Sequence, residues 1–268
     1  AALEELAESL ASSLTDSQTL AKRIAENSQL IELLSGPGGA EADEAAQELL
    51  DSISNDYVWQ RGIRMLMDSY VVGFNGVTAA TYGSQLFSSG AVLSDSRYAS
   101  LLSGEQDTLL LPTASHPEAS GIFVHSFQFA QLVRDHLTQE PLGLVILNIS
   151  EVSLYSQYLL QQGSDNAFVI MDSSGCVVSA RDKRLIGTAY GHTLAELESL
   201  ATEIRPTRRI VDGAILLHER IPGTEWYVVE ELATSAVFGR LYQVGRDTFL
   251  GTGLCAALIL AALLLAYR

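Results

Sequence analysis

The chain has 268 residues, 47% hydrophobic and 18% charged, with a formal net charge of −16. That composition is globular rather than disordered, and its acidity excludes a nucleic-acid groove, which needs cations to neutralise phosphates. The same charge keeps the folded part off anionic lipid surfaces. Two cysteines, Cys176 and Cys255, provide no disulfide framework.

Residues 1–34 read as one long helix. Leu3, Leu6, Leu10, Leu20, Ile24, Ile31 and Leu34 recur at three- and four-residue spacing, with Ser13, Ser17 and Asn27 interrupting the seam. Such a rod either lies along its own domain or also pairs with its copy in a homodimer. Ser35-Gly36-Pro37-Gly38-Gly39 stops it. A second helical run, rich in Ala, Glu, Leu and Gln, extends from Glu41 to about Asp68.

At Ser69 the period changes. Tyr70–Phe74 predicts a strand, Asn75-Gly76 a tight hairpin turn and Val77–Thr81 the return. Residues 84–118 read as polar and irregular, with helical potential at Ala99–Leu102. Gly121–Phe129 alternates, placing Phe123, His125, Phe127 and Phe129 on one face and Ile122, Val124, Ser126 and Gln128 on the other. Leu142–Ile149 is a nearly continuous apolar strand suited to a sheet centre, followed by a helix from Ser150 to about Gln162.

A shorter, similar unit follows. Ala167–Met171 and Cys176–Ser179 are strands around the turn Asp172-Ser173-Ser174-Gly175. Thr193-Leu194-Ala195-Glu196 is a capping box opening a helix, and Asp212-Gly213 joins strands Arg208–Val211 and Ala214–Arg220. Glu225–Leu232 is the final strand, with Glu230-Glu231 expected to face water. From Thr234 a helical pattern runs into Phe249–Ala266, an uncharged stretch closed by Tyr267 and Arg268. As a helix that stretch spans roughly 27 Å, about the hydrocarbon thickness of a bilayer. It has no polar face, so a membrane anchor is the expectation, with Arg268 on the cytoplasmic side.

Phe168–Ser179 with Asp182, Ile186 and Gly187 resembles the strand, turn and following Ile-Gly of Cache modules. Pro222-Gly223-Thr224-Glu225-Trp226 is similar to their close, and Leu142–Ser150 resembles the last strand of a membrane-distal module. In layout the whole chain resembles the extracellular double-Cache region and second membrane helix of bacterial sensor histidine kinases. The resemblance implies an α+β fold: a long N-terminal helical stalk (1–68), a membrane-distal PAS-like Cache module (69–163), a membrane-proximal one (164–233), and an exit and transmembrane helix (234–268). It also implies a homodimer, a first membrane helix before Ala1, signalling domains after Arg268, and a cell-membrane location with residues 1 to about 245 extracellular. Amino-acid-binding members carry a Trp-Tyr pair after the Arg, which Arg97-Tyr98 lacks.

A pocket for a small molecule or short peptide is therefore drawn from side-chain chemistry. Tyr82, Gln85, Arg97, Tyr98, His125 and Phe127 offer aromatic walls, a cation and hydrogen-bond groups between the hairpin and the Phe-rich strand. Catalytic motifs are absent: there is no Gly-x-Ser-x-Gly, no phosphate-binding loop and no His-Glu-x-x-His, and the five histidines are scattered. No catalytic residue, cofactor or metal is expected. The partners expected are the ligand, the lipid bilayer and a second copy of the chain. The expected function is ligand sensing coupled to a conformational change in the exit helix. A chemoreceptor sensor region and a membrane-tethered surface binding protein are the alternatives.

Overall fold

A computed structural model describes residues 2–61, 66–81, 89–117, 123–159, 166–191, 209–211 and 214–233. The membrane-anchor run, the capping box at Thr193 and the Asp212-Gly213 turn lie outside them. Among the described residues no helix is long and apolar enough to cross a membrane.

The N-terminal rod is two helices, not one. α1 (Ala2–Ala25) ends beside Asn27, whose side chain accepts hydrogen bonds from Gln29 N at 2.9 Å and Leu30 N at 3.2 Å and so starts α2 (Ser28–Ser35). Asn is a strong N-cap, so the residue that interrupts the apolar seam also interrupts the helix. α3 (Ala40–Arg61) runs back alongside, and β1 (Leu66–Gly73) begins before the end expected for that helix. The pairing of Leu66 with Ile149 and of Asp68 with Asn148 makes this stretch strand.

Two five-stranded antiparallel sheets follow among the described residues. The first contains β1, β2 (Thr78–Ala80), β3 (Thr108–Pro117), β4 (Phe123–Arg134) and β5 (Pro141–Ser150) in the order β2-β1-β5-β4-β3. The second contains β6 (Asn166–Asp172), β7 (Val177–Ala180), β8 (Arg209–Val211), β9 (Ala214–Arg220) and β10 (Trp226–Ala233) in the order β7-β6-β10-β9-β8. The second order repeats the first, five strands later. Between β2 and β3 lie α4 (Ser89–Ser94), a 3-10 turn (Ser96–Tyr98) and α5 (Ala99–Leu102). α6 (Val152–Leu159) leaves β5 toward the second sheet.

β3 corrects the irregular reading of residues 84–118. Pro112 disguises it, but β3 is an edge strand with a register shift between Leu111 and Ala114, where proline is tolerated. The opposite edge, β2, is covered by α3: Thr78 N donates to Asp43 Oδ1 and Ala80 N to Gln47 Oε1, both at 2.8 Å. Glu230 and Glu231 are half-buried rather than water-facing. Asn166 Nδ2 donates to Glu230 at 3.0 Å, and the Tyr190 hydroxyl donates to Glu231.

Leu6, Leu10, Leu14, Leu20 and Ile24 of α1 belong to one core with Phe127, Phe129 and Leu147 of the first sheet and Phe168, Trp226 and Val228 of the second. One helix thus closes the inner faces of both sheets. Its apolar stripe is buried within its own chain, and its outer face carries Glu8, Ser12, Thr15 and Thr19.

Candidate functional site

Alternation along β4 and β5 turns a second set of side chains away from α1. Toward the β1–β2 hairpin this face is apolar, with Tyr70, Val72, Leu132, Leu144 and Ile146 packed under Val92, Tyr98 and Leu101. Toward α6 it becomes polar. Asp68 pairs in register with Asn148, and Asn148 with Gln128, so three polar side chains form one lateral row across β1, β5 and β4. Ser126 stands next along β4. All four are buried, Asn148 and Ser126 to 1% exposure.

The row is held by hydrogen bonds. Tyr98 OH donates to Gln128 Oε1 at 2.7 Å, Gln128 Nε2 donates to Asn148 Oδ1 at 3.1 Å, and Ser126 Oγ donates to the same oxygen at 3.4 Å. Burial pushes the Tyr98 phenol up to about 12. Amides and a carboxylate in the middle of a sheet are disfavoured by strand propensity and by desolvation. Apolar residues would fill the same space, so this patch has a chemistry that packing alone does not require.

Of the six residues taken from the sequence, the four that the structure describes are not brought together. Tyr98 reaches the polar row from above. Arg97 beside it turns outward to Asp95: its Nη2 lies 2.6 Å and its Nε 2.9 Å from Asp95 Oδ2. Asp95 in turn accepts from Arg97 N, capping the 3-10 turn, and its carboxyl is held below the usual range by that guanidinium. Arg97 therefore anchors the turn, 5.9 Å from the Tyr98 ring centroid. His125 and Phe127 are on the opposite face of β4. His125 Nδ1 is 2.9 Å from Ser115 Oγ, and the Phe127 ring meets Trp226 edge-on at 5.6 Å in the core under α1. Tyr82 and Gln85 lie outside the described residues. Arg134 is no free cation either; it binds Asp107 at 2.8 Å and the Gln139 carbonyl at 2.9 Å.

Asp68, Ser126, Gln128 and Asn148 were missed by the sequence reading. The available signal was a polar residue inside an apolar strand, Asn148 in Leu142–Ile149, and the polar half of the β4 alternation. Among the described residues no group of three or more His, Cys, Asp or Glu side chains could hold a metal.

No protein-family model matches the chain, and no curated protein sequence matches it. Solved structures do share its fold. The ligand-binding domain of the Pseudomonas aeruginosa PAO1 amino-acid chemoreceptor PctB, in complex with L-Arg, superposes with a TM-score of 0.60 at 16% identity, covering 88% of this chain and 93% of that one. That of PctC from the same organism, in complex with GABA, gives 0.61 at 16%, covering 86% and 96%. The periplasmic sensory domain of the Campylobacter jejuni chemoreceptor Tlp1 gives 0.61 at 13%, covering 88% and 94%. At these identities the likeness establishes the fold: an α+β arrangement shared with bacterial sensory ligand-binding domains.

Proposed function

We propose that the chain is the extracellular ligand-sensing region of a transmembrane signal-transduction receptor. The two sheets are its two modules, the first membrane-distal and the second membrane-proximal, and the Phe249–Ala266 run is its anchor. The ligand, a small polar molecule or short peptide, binds the polar part of the outer face of the first sheet, beside Tyr98. The observation that carries this reading is the buried row Asp68–Asn148–Gln128 with Tyr98 closing it. Its mixture of one carboxylate, two amides and a phenol suits a ligand that both donates and accepts hydrogen bonds. The module senses and does not catalyse. A homodimer would meet through the polar outer face of α1.

The output is a two-component histidine kinase on the sequence resemblance. Chemoreceptor signalling is the second reading, favoured by the sensory domains that share the fold. A thermal-shift screen of the full chain in mild detergent, against amino acids, GABA and other small metabolites, tests the binding reading. A hit should be lost in Gln128→Leu and Asn148→Leu and retained in Arg97→Ala. A hit that survives both sheet substitutions would overturn the site.

A further inference from the structure

Three residues beyond Asn148, the chain leaves β5 at Glu151, whose side chain is fully buried. Lys183 Nζ donates to both its carboxylate oxygens, at 2.7 and 2.6 Å, and Ser179 Oγ donates to Oε1. Ser179 Oγ in turn lies 2.7 Å from Tyr158 OH, and Lys183 Nζ sits 3.9 Å from the Tyr155 ring centroid. Glu151 is tied to the first sheet through its own N–H, which donates to the His125 carbonyl at 2.9 Å. Ser179 is on β7, and Lys183 is in the 3-10 turn Lys183–Leu185 that follows it. The ion pair therefore joins the first sheet to the second, with Tyr155 and Tyr158 of α6 packed against it.

Glu151 is buried while Lys183 is half-buried; such a pair contributes little net stability over an apolar filling, yet removing the lysine strands the carboxylate's charge. Two hydrogen bonds from Lys183 and one from Ser179 hold the carboxylate in one geometry and penalise departures from it. β5 carries Asn148 at the polar row and delivers Glu151 about 10 Å further on. A shift of β5 at the row therefore arrives at the ion pair through the strand itself.

We propose that Glu151 and Lys183, with Ser179 and Tyr158, form a latch that transmits the state of the Asn148–Gln128 face to the second sheet. This rests on the reading of that face as the ligand site. The latch is regulatory: the ligand acts on β5, and the ion pair sets the position of β7 and its following turn.

Hydrogen exchange measured by mass spectrometry on the full chain in mild detergent tests it without a ligand, using Tyr98→Phe to perturb the row. In the otherwise native protein, Tyr98→Phe should speed exchange in β4 and β5 and also, by about threefold or more, in residues 177–185. In a Glu151→Gln background the β4 and β5 response should remain and the response at 177–185 should vanish. If Glu151→Gln does not fold, Glu151→Gln with Lys183→Met removes both charges together and serves the same purpose. Exchange at 177–185 that ignores Tyr98→Phe, or that responds equally without the ion pair, would overturn the latch and leave the binding reading intact. An empty ligand screen would overturn the proposed function and leave this measurement standing.

Discussion

The hydroxyl of Tyr98 and the side-chain oxygen of Gln128 are 2.7 Å apart and buried, although thirty residues separate them in the chain. This bond pins the 3-10 turn to the centre of the first sheet. In Tyr98→Phe the Gln128 oxygen is left buried without its donor, at a cost of about 1–3 kcal/mol. Chemical denaturation should show that loss, whereas Arg97→Ala, which breaks an exposed pair with Asp95, should cost under about 1 kcal/mol.

The same phenol sets an alkaline limit. Burial raises its ionisation from 10 to about 12, so the fold favours the neutral form. Its contribution is complete below pH 10 and is lost as pH rises from 10 toward 12. Integrated, this is about 2–3 kcal/mol. The stability difference between the native chain and Tyr98→Phe should shrink across that window. Tyr158 and Tyr190, also raised by burial, titrate in both proteins and cancel. A difference that stays flat from pH 9 to 12 would contradict the assignment.

Phe127 and Trp226 make an aromatic contact between the two sheets, at 5.6 Å and 81°. Phe127→Leu and Trp226→Leu should each destabilise, and together by less than their sum, with a coupling of about 0.5–1.5 kcal/mol. Strict additivity in denaturant midpoints would mean that the sheets are not packed through this pair.

Gly143 sits where β5 passes β1. A Cβ there would meet the Val72 carbonyl oxygen at 2.5 Å and Gly73 Cα at 2.9 Å. Both are backbone atoms in a paired ladder, so neither can turn away. Gly143→Ala should cost about 1–3 kcal/mol and widen the β1–β5 pairing. Thermal denaturation, with amide exchange in β1 as the local readout, checks it.

The elements were legible wherever a local signal was strong: the β1–β2 hairpin from Asn75-Gly76, the central strand β5 from its apolar run, and the Asp172–Gly175 turn, where Asp172 Oδ1 accepts from Ser174 N and Cys176 N. Turn chemistry and hydrophobic runs act within a few residues, so the sequence displays them. The start of β1 at Leu66 and the whole of β3 were not visible, because pairing with β5 and β4 overrode a helical pattern in one case and Pro112 in the other. The candidate site was the least visible part. Sequence chemistry selects Arg97, His125 and Phe127 by type, but strand register decides which face each occupies. Only the register of three strands puts Asp68, Asn148 and Gln128 in one row, and only the chain's return through α5 and β3 lets Tyr98 close it. Composition and local pattern determined that this is an acidic, sheet-containing chain without catalytic motifs. Which polar side chains share a buried face, and which ion pair joins the two sheets, depends on contacts between residues far apart in the chain, and tertiary structure alone decides them.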